Sequence, residues 1–393
     1  SVVGLELMDR ARYVSFGRDI GHINSAFLAS RGVPAVDPID LYNEQLRRAG
    51  NRVNPSLIMQ FARTCGEAFD WFTDMYGVEG LSDVHVAYWP EGGKKFKADE
   101  SHEYNGYHFW NGTAQFPDPR GWPGSPSLWD LLKSNFDLIE EKGGRLFFQQ
   151  EVLQPVIEAD GRISAVITKN RQGEYFKYYA SKAVILAMGD FSGNAEMYEE
   201  LASDLADLRT PDQQPHRNNG RRGRGHQFGV WAGGKLEPKP LALMGGNTGM
   251  LPGFTSFGVL WLDRRGKRFT NETMGGPEFV GYPAAVMPQG TYYNVFDENV
   301  LEDLQWAVPA HMGFDEHNEA NVNMVRTLID FATKNPKGSD EPPVIEGGGP
   351  PLRTQGLYSG ETPEELAAVF AAERALGYKG GLLCTNPIPE EYS

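Results

Sequence analysis

The chain has 393 residues, 40% hydrophobic and 23% charged, which excludes general disorder and provides for two or three packed domains. A formal net charge of −15 argues against a general binder of nucleic acid or anionic membrane. Two cysteines, Cys65 and Cys384, exclude a disulfide scaffold and a cysteine-built metal site.

In chain order, Ser1–Asp9 reads as a short buried strand ending in acids. No basic segment with an apolar core follows, so no signal peptide is visible. The chain therefore reads as soluble, cytoplasmic rather than exported, and as opening inside a domain whose earlier part is absent. Asp37-Pro38 and Asn54-Pro55 are helix starts, since proline after a capping Asn or Asp suits a first turn. They predict helices through Arg48 and through Met75. In the second, Leu57, Phe61, Ala68 and Phe72 recur at helical spacing and mark the apolar face.

Residues 81–127 hold many aromatics among Gly, Pro and Asn and keep no period of two or 3.6. Such a region either lines a ligand pocket or packs on itself. Ser127–Glu141 reads as a helix and Arg145–Val152 as a strand. Leu153–Glu158, Ile163–Thr168 and Tyr175–Ala180 follow as a meander, and Ala183–Met188 as a buried strand running into Gly189. Ligands of open α/β sheets bind at such strand ends. A helix over Ala195–Leu205, a basic loop from Arg217 to Arg224, a helix opening at Gly225 and a hairpin over 256–270 come next. Residues 271–360 turn proline- and glycine-rich and read as a smaller domain, and 362–377 as a last helix. No run of apolar residues is long enough to span a bilayer. The 46 glycines exceed the usual ~7%.

Three segments, Ala183–Met197, Gly223–Gly234 and Gly266–Glu272, resemble in order the "VILATGGFxGNxEM", "GDGxxMAxxAGA" and "GKRFxNE" stretches of the fumarate reductase/succinate dehydrogenase flavoproteins. These are bacterial FAD-dependent oxidoreductases of the FAD-dependent oxidoreductase 2 type. Residues 17–26 resemble the family's loop against the flavin ring. The resemblance implies an α/β fold: a GR2-type Rossmann-like FAD-binding domain with an antiparallel meander, plus an inserted α+β capping domain. The expected division is 1–270 for the FAD-binding domain, 271–360 for the cap, and 361–393 returning toward the first. The family's Gly-x-Gly-x-x-Gly turn and its C-terminal FAD segment are not found, so the FAD domain reads as incomplete at both ends.

The resemblance also implies site residues. Glu6, at a strand end, would bind the adenosine ribose. Val152 would lie under the adenine, and Ala187, Gly189 and Asn194 would approach the nucleotide. Gly21, His22, Ile23 and Asn24 would present backbone amides to the flavin ring, where they stabilise charge on the reduced form. His22 stands where a small residue is usual and could donate a proton beside the flavin. Asp190 would repel a pyrophosphate unless turned away or paired. Glu272 is followed directly by Thr273-Met-Gly-Gly-Pro277, without the arginine the family's reductases carry there, so a dicarboxylate substrate is disfavoured. Tyr282, Tyr292, Tyr293 and His311 remain as cap-domain groups for acid–base work.

The expected function is an FAD-dependent oxidoreductase acting on a CH–CH group of a larger or more aromatic organic molecule, with a separate electron donor or acceptor. Two alternatives stay open: a truncated or degenerate homologue without FAD binding, and an enzyme resembling the 3-ketosteroid dehydrogenases.

Overall fold

The computed structural model describes residues 2–10, 19–49, 51–87, 112–117, 124–191, 193–203, 221–239, 241, 260–263, 266–269, 293–297, 299–306, 316–317, 319–334, 358–360, 364–365, 368 and 382–384. The chain divides into two compact units: Ser1–Ile39, Arg52–Ala87 and Gly112–Leu241 form the first, and Asp40–Asn51, Tyr88–Asn111 and Ala242–Ser393 the second.

In the first unit, β1 (Val3–Leu5) pairs in parallel with β5 (Arg145–Phe147), Val3 opposite Arg145 and Leu5 opposite Phe147. Parallel strands need a long crossover, and here it includes α1 (Ala26–Ser30), α3 (Pro55–Thr73) and α4 (Leu128–Glu141). The helix starts follow their local sequences. Asn54 caps α3 by accepting from the Ser56 N–H at 3.0 Å, with Pro55 in the first turn. Ser127 and Asp130 cap α4 reciprocally, each side chain accepting the other's backbone N–H. α2 (Pro38–Arg48) begins where Asp37 accepts the Ile39 N–H at 2.9 Å. β2 (Asp19–Gly21), β4 (Thr113–Gln115) and β3 (His85–Val86) form an antiparallel sheet with β4 in the centre. No periodicity announced β3 and β4, because strands this short carry too few alternations.

The meander is present as β6 (Gln150–Ile157), β7 (Ile163–Asn170) and β8 (Tyr175–Tyr179), paired antiparallel in that order. The single strand expected over Arg145–Val152 is two. Gln149 has φ +58°, in the left-handed region, and this turns the chain out of the parallel pair and into the meander. Thr168 and Gln150 face each other inside it, both buried, the hydroxyl donating at 2.7 Å.

Three expected burial patterns do not hold. The opening strand β1 is not buried, with Val2 65% and Val3 44% exposed. The buried face of α3 is Ala62, Cys65, Gly66, Phe69 and Thr73, while Leu57 is 61% and Phe61 43% exposed. The periodicity was right but its phase was off by about one residue. Ala183–Met188 is not a strand, and Ile185 is 90% exposed. An apolar run becomes a buried strand only when neighbours take its backbone groups, and no described residue does so here.

In the second unit, β9 (Leu260–Leu262) pairs antiparallel with β10 (Tyr293–Val295) and fully buries Trp261. The hairpin expected over 256–270 is a tight turn at Asp263, whose N–H donates to the Lys267 carbonyl at 2.8 Å, closed by a bridge from Leu262 to Arg268. α7 (Val300–Asp303) and α8 (Glu319–Lys334) bury Val300 and Val325. β11 (Tyr358–Gly360) pairs in parallel with β12 (Leu382–Cys384). Most of the expected 362–377 helix lies outside the described residues.

Candidate functional site

The first unit brings the singled-out residues into two clusters. One lies at the C-terminal end of the parallel pair. Glu6 follows β1 directly; its N–H donates to Phe147 and its carbonyl accepts from Gln150, at 2.9 and 2.8 Å. Its carboxylate Oε1 takes the Met8 N–H at 2.8 Å, and its second oxygen has no partner among the described residues. The chain then runs through Glu151 to Val152, where the register with β7 shifts by one residue between Val152 and Gln154. Such a bulge bends a strand and re-aims its groups.

The Glu151 carboxylate meets Arg222 at 3.6 Å. Arg222 belongs to the loop ahead of α6 (Arg224–Trp231), and its carbonyl accepts from the Asn194 side chain at 3.1 Å. Asn194 also caps α5 (Ala195–Leu201), accepting the Met197 N–H at 3.1 Å. The amide of Asn194 is thereby engaged at both ends. Next to it, Gly193 donates to the Arg221 carbonyl, and Gly223 to that of Asp190. The Gly223 position (φ +69°) leaves no room for a side chain, since a Cβ there would come within 2.9 Å of Phe191 Cβ. Two of the segments that carried the family resemblance are thus laced together.

Gly189 sits at φ +73° with open space where a side chain would be, and Ala187 is exposed. The Asp190 charge is answered by Arg221 at 3.0 Å. The concern that this acid repels a phosphate is therefore met by pairing.

The second cluster is the loop Gly21–Ser25. The His22 ring stacks on Phe69, centroids 3.9 Å apart and planes 8° from parallel. Its Nδ1 lies 3.1 Å from the Ile20 carbonyl, which can only accept, so Nδ1 carries the hydrogen. Nε2 then accepts from the Ser25 hydroxyl at 2.7 Å, and that hydroxyl accepts the Leu28 N–H at 3.0 Å as the cap of α1. Burial pushes the His22 pKa down, opposed by the Ile20 hydrogen bond and the nearby Asp70 charge. The ring is 4% exposed and bonded at both nitrogens, so neither nitrogen is open to a ligand in this arrangement.

The loop's amides are also largely engaged. His22 donates to the Gly112 carbonyl at 2.7 Å, Ile23 to the Cys65 sulfur at 3.4 Å, and Ala26 to Asp70 at 2.8 Å. The N–H groups of Asn24 and Ser25 have no partner among the described residues. Asn24 holds φ +60°, stabilised by a side chain that bonds both the N–H and the carbonyl of Val36 at 2.8 Å. Gly66 and Gly112 were not singled out from sequence, yet each touches this loop where a Cβ would collide with backbone. A helical glycine opposite a turn is invisible until the fold supplies the partner. Tyr282, Tyr292 and His311 lie outside the described residues, and of Tyr293 only the backbone is described. Among the described residues no group of His, Cys, Asp or Glu could hold a metal, and no helix is long and apolar enough to cross a membrane.

The first cluster suits a dinucleotide: a carboxylate with a spare oxygen at a parallel strand end, and an open positive-φ glycine. A 3-ketosteroid-Δ4-(5α)-dehydrogenase from Rhodococcus jostii RHA1, in complex with 4-androstene-3,17-dione, shares the fold at TM-score 0.52 and 16% identity, over 77% of this chain and 62% of its own. The chain thus spans under two thirds of that protein. A flavocytochrome c3 fumarate reductase aligns at TM-score 0.41 and 14% identity, over 72% and 45%. Mycobacterium smegmatis Sdh1 in complex with UQ1 aligns at 0.37 and 13%, over 59% and 34%. No curated protein sequence matches. The family model described as FAD binding domain matches residues 26–292, more than half of the chain. The chain belongs to this FAD-binding family of the FAD-dependent oxidoreductase 2 type, and its cofactor is FAD.

Proposed function

We propose that this chain is the flavin-binding body of an oxidoreductase that acts on a CH–CH group of a small organic molecule and exchanges electrons with a separate donor or acceptor. The observation that carries the reading is the path from Glu6 through Gln150, Glu151 and Arg222 to Asn194, made of backbone and side-chain hydrogen bonds and one 3.6 Å ion pair, which joins segments far apart in sequence around one strand end. FAD supplies hydride transfer when bound. In this reading the free Glu6 oxygen accepts from ribose hydroxyls. Val152 lies beside the adenine, and Ala187 and Gly189 permit close approach. Asn194 acts by fixing the α5 start beside them. The Gly21–Asn24 loop holds the flavin ring, with the exposed Asn24 as its amide that has no partner among the described residues. His22 orders that loop, and the acid–base role passes to Tyr282, Tyr292 or His311. In this reading residues 271–360 form the capping domain, and 1–270 with 361–393 the flavin-binding domain.

The absence of an arginine directly after Glu272 supports a substrate other than a dicarboxylate. The test is to purify the chain, add FAD and pass it through gel filtration. Flavin absorption that co-elutes with protein supports the reading, and a colourless protein overturns it in favour of a degenerate homologue. A substrate panel of fumarate, enones and a 3-ketosteroid, followed by flavin bleaching, then distinguishes the reactions.

A further inference from the structure

The loop Gly21–Ser25 is held more tightly than a surface turn requires, and most of the hold comes from one helix. Cys65 Sγ accepts the Ile23 N–H at 3.4 Å and lies 4.0 Å from the Ile23 carbonyl, so the thiol brackets one residue. One position on, a Cβ at Gly66 would meet the Asn24 carbonyl carbon and oxygen, both within 2.7 Å. One turn further, Phe69 carries the His22 ring, and Asp70 takes the Ala26 N–H at 2.8 Å. Positions 65, 66, 69 and 70 form one face of α3, since residues three and four apart are neighbours. From the other side, Gly112 accepts the His22 N–H and allows strand backbone against the His22 carbonyl.

We propose that this face of α3, with Cys65 as its hydrogen-bonding centre and Gly66 as its contact point, positions the flavin-facing loop; the proposal rests on the FAD reading above. Donors fixed before charge develops need no reorganisation when the flavin is reduced, which is how preorganised amides act. The clamp engages the amides on either side of Asn24 and Ser25, whose own N–H groups have no partner among the described residues. A thiol in this place is a weak acceptor. It is also small enough to let the loop approach, so its loss should free the loop without opening a large cavity. Cys65, Gly66 and Phe69 are thus positioning residues, and none of them need touch the cofactor.

The test uses the full chain and the variants Cys65→Ala, Cys65→Ser and Gly66→Ala, with two readouts. The first is amide exchange without FAD. Exchange at 22–26 should rise about tenfold in Cys65→Ala and Gly66→Ala, and far less in Cys65→Ser, which keeps an acceptor, while the 150–179 meander stays unchanged. The second is the reduction potential of bound FAD. It should become more negative in Cys65→Ala and recover in Cys65→Ser. Unaltered exchange at 22–26 in Cys65→Ala overturns the clamp, and that nearly volume-conserving variant keeps the test decisive should Gly66→Ala not fold. Faster exchange with an unmoved potential overturns the positioning role. A wild-type chain that retains no FAD overturns the flavin reading itself, whereas exchange still judges the clamp.

Discussion

The imidazole of His22 lies flat against the ring of Phe69, 3.9 Å between centroids and 8° from parallel. The stack joins a loop residue to the buried face of α3. It covers an imidazole whose two nitrogens are already bonded to Ile20 and Ser25. Removing this ring takes away packing and leaves a buried hydroxyl without its acceptor. His22→Ala should therefore destabilise the chain by about 2–4 kcal/mol. Urea denaturation followed by tryptophan fluorescence measures it, and a change under 1 kcal/mol would contradict the assigned structural role.

The same ring sets a pH dependence. Burial lowers the folded-state pKa of His22 below its unfolded value of about 6.5. In the window between the two values the unfolded chain binds the proton and the folded chain does not. The contribution is thus fully present above about pH 6.5 and is lost as pH falls toward the folded pKa. Wild type should lose stability on acidification through this window more steeply than His22→Gln, measured by denaturant midpoints from pH 7.5 to 5.

Glu6 offers one carboxylate oxygen beyond the one bonded to Met8. A hydrogen bond to a charged group contributes roughly 1.5–3 kcal/mol, and each 1.4 kcal/mol is a factor of ten in affinity. Glu6→Gln should weaken FAD binding about tenfold or more, read by flavin fluorescence titration. The melting temperature should hold, because the Gln carbonyl can still accept from Met8.

Asp190 and Arg221 pair at the surface, each nearly half exposed. Such pairs contribute about 0–1 kcal/mol, so Asp190→Asn should leave stability nearly unchanged. It removes a carboxylate beside Gly189 and should tighten FAD binding a few-fold at low salt. In about 1 M salt, where charges are screened within roughly 3 Å, the gain should vanish. Affinity that falls instead would place the phosphates elsewhere.

Ile185 is 90% exposed in a segment read from sequence as a buried strand. Ile185→Ser should change the unfolding free energy of this chain by less than about 0.5 kcal/mol. A loss of 2 kcal/mol or more would show that the segment is buried in solution.

The sequence by itself determined what is local. Asn54-Pro55 and Ser127 with Asp130 mark helix starts because capping bonds span only two or three residues. The meander β6–β8 was legible from alternation between turn residues. The family followed from motifs in order, and Glu6 and Asn194 stand at the two ends of one path. The tertiary structure decided what depends on distant partners. It chose which stripe of α3 is buried, left Ala183–Met188 without strand neighbours, and took both nitrogens of His22. It also gave Cys65 and Gly66 their purpose. The Ile23–Cys65 bond spans 42 residues, and Gly66 matters only because a turn from elsewhere in the chain presses against it. Packing against such a partner is set by close contact between backbones, and no window along the chain contains both sides of it.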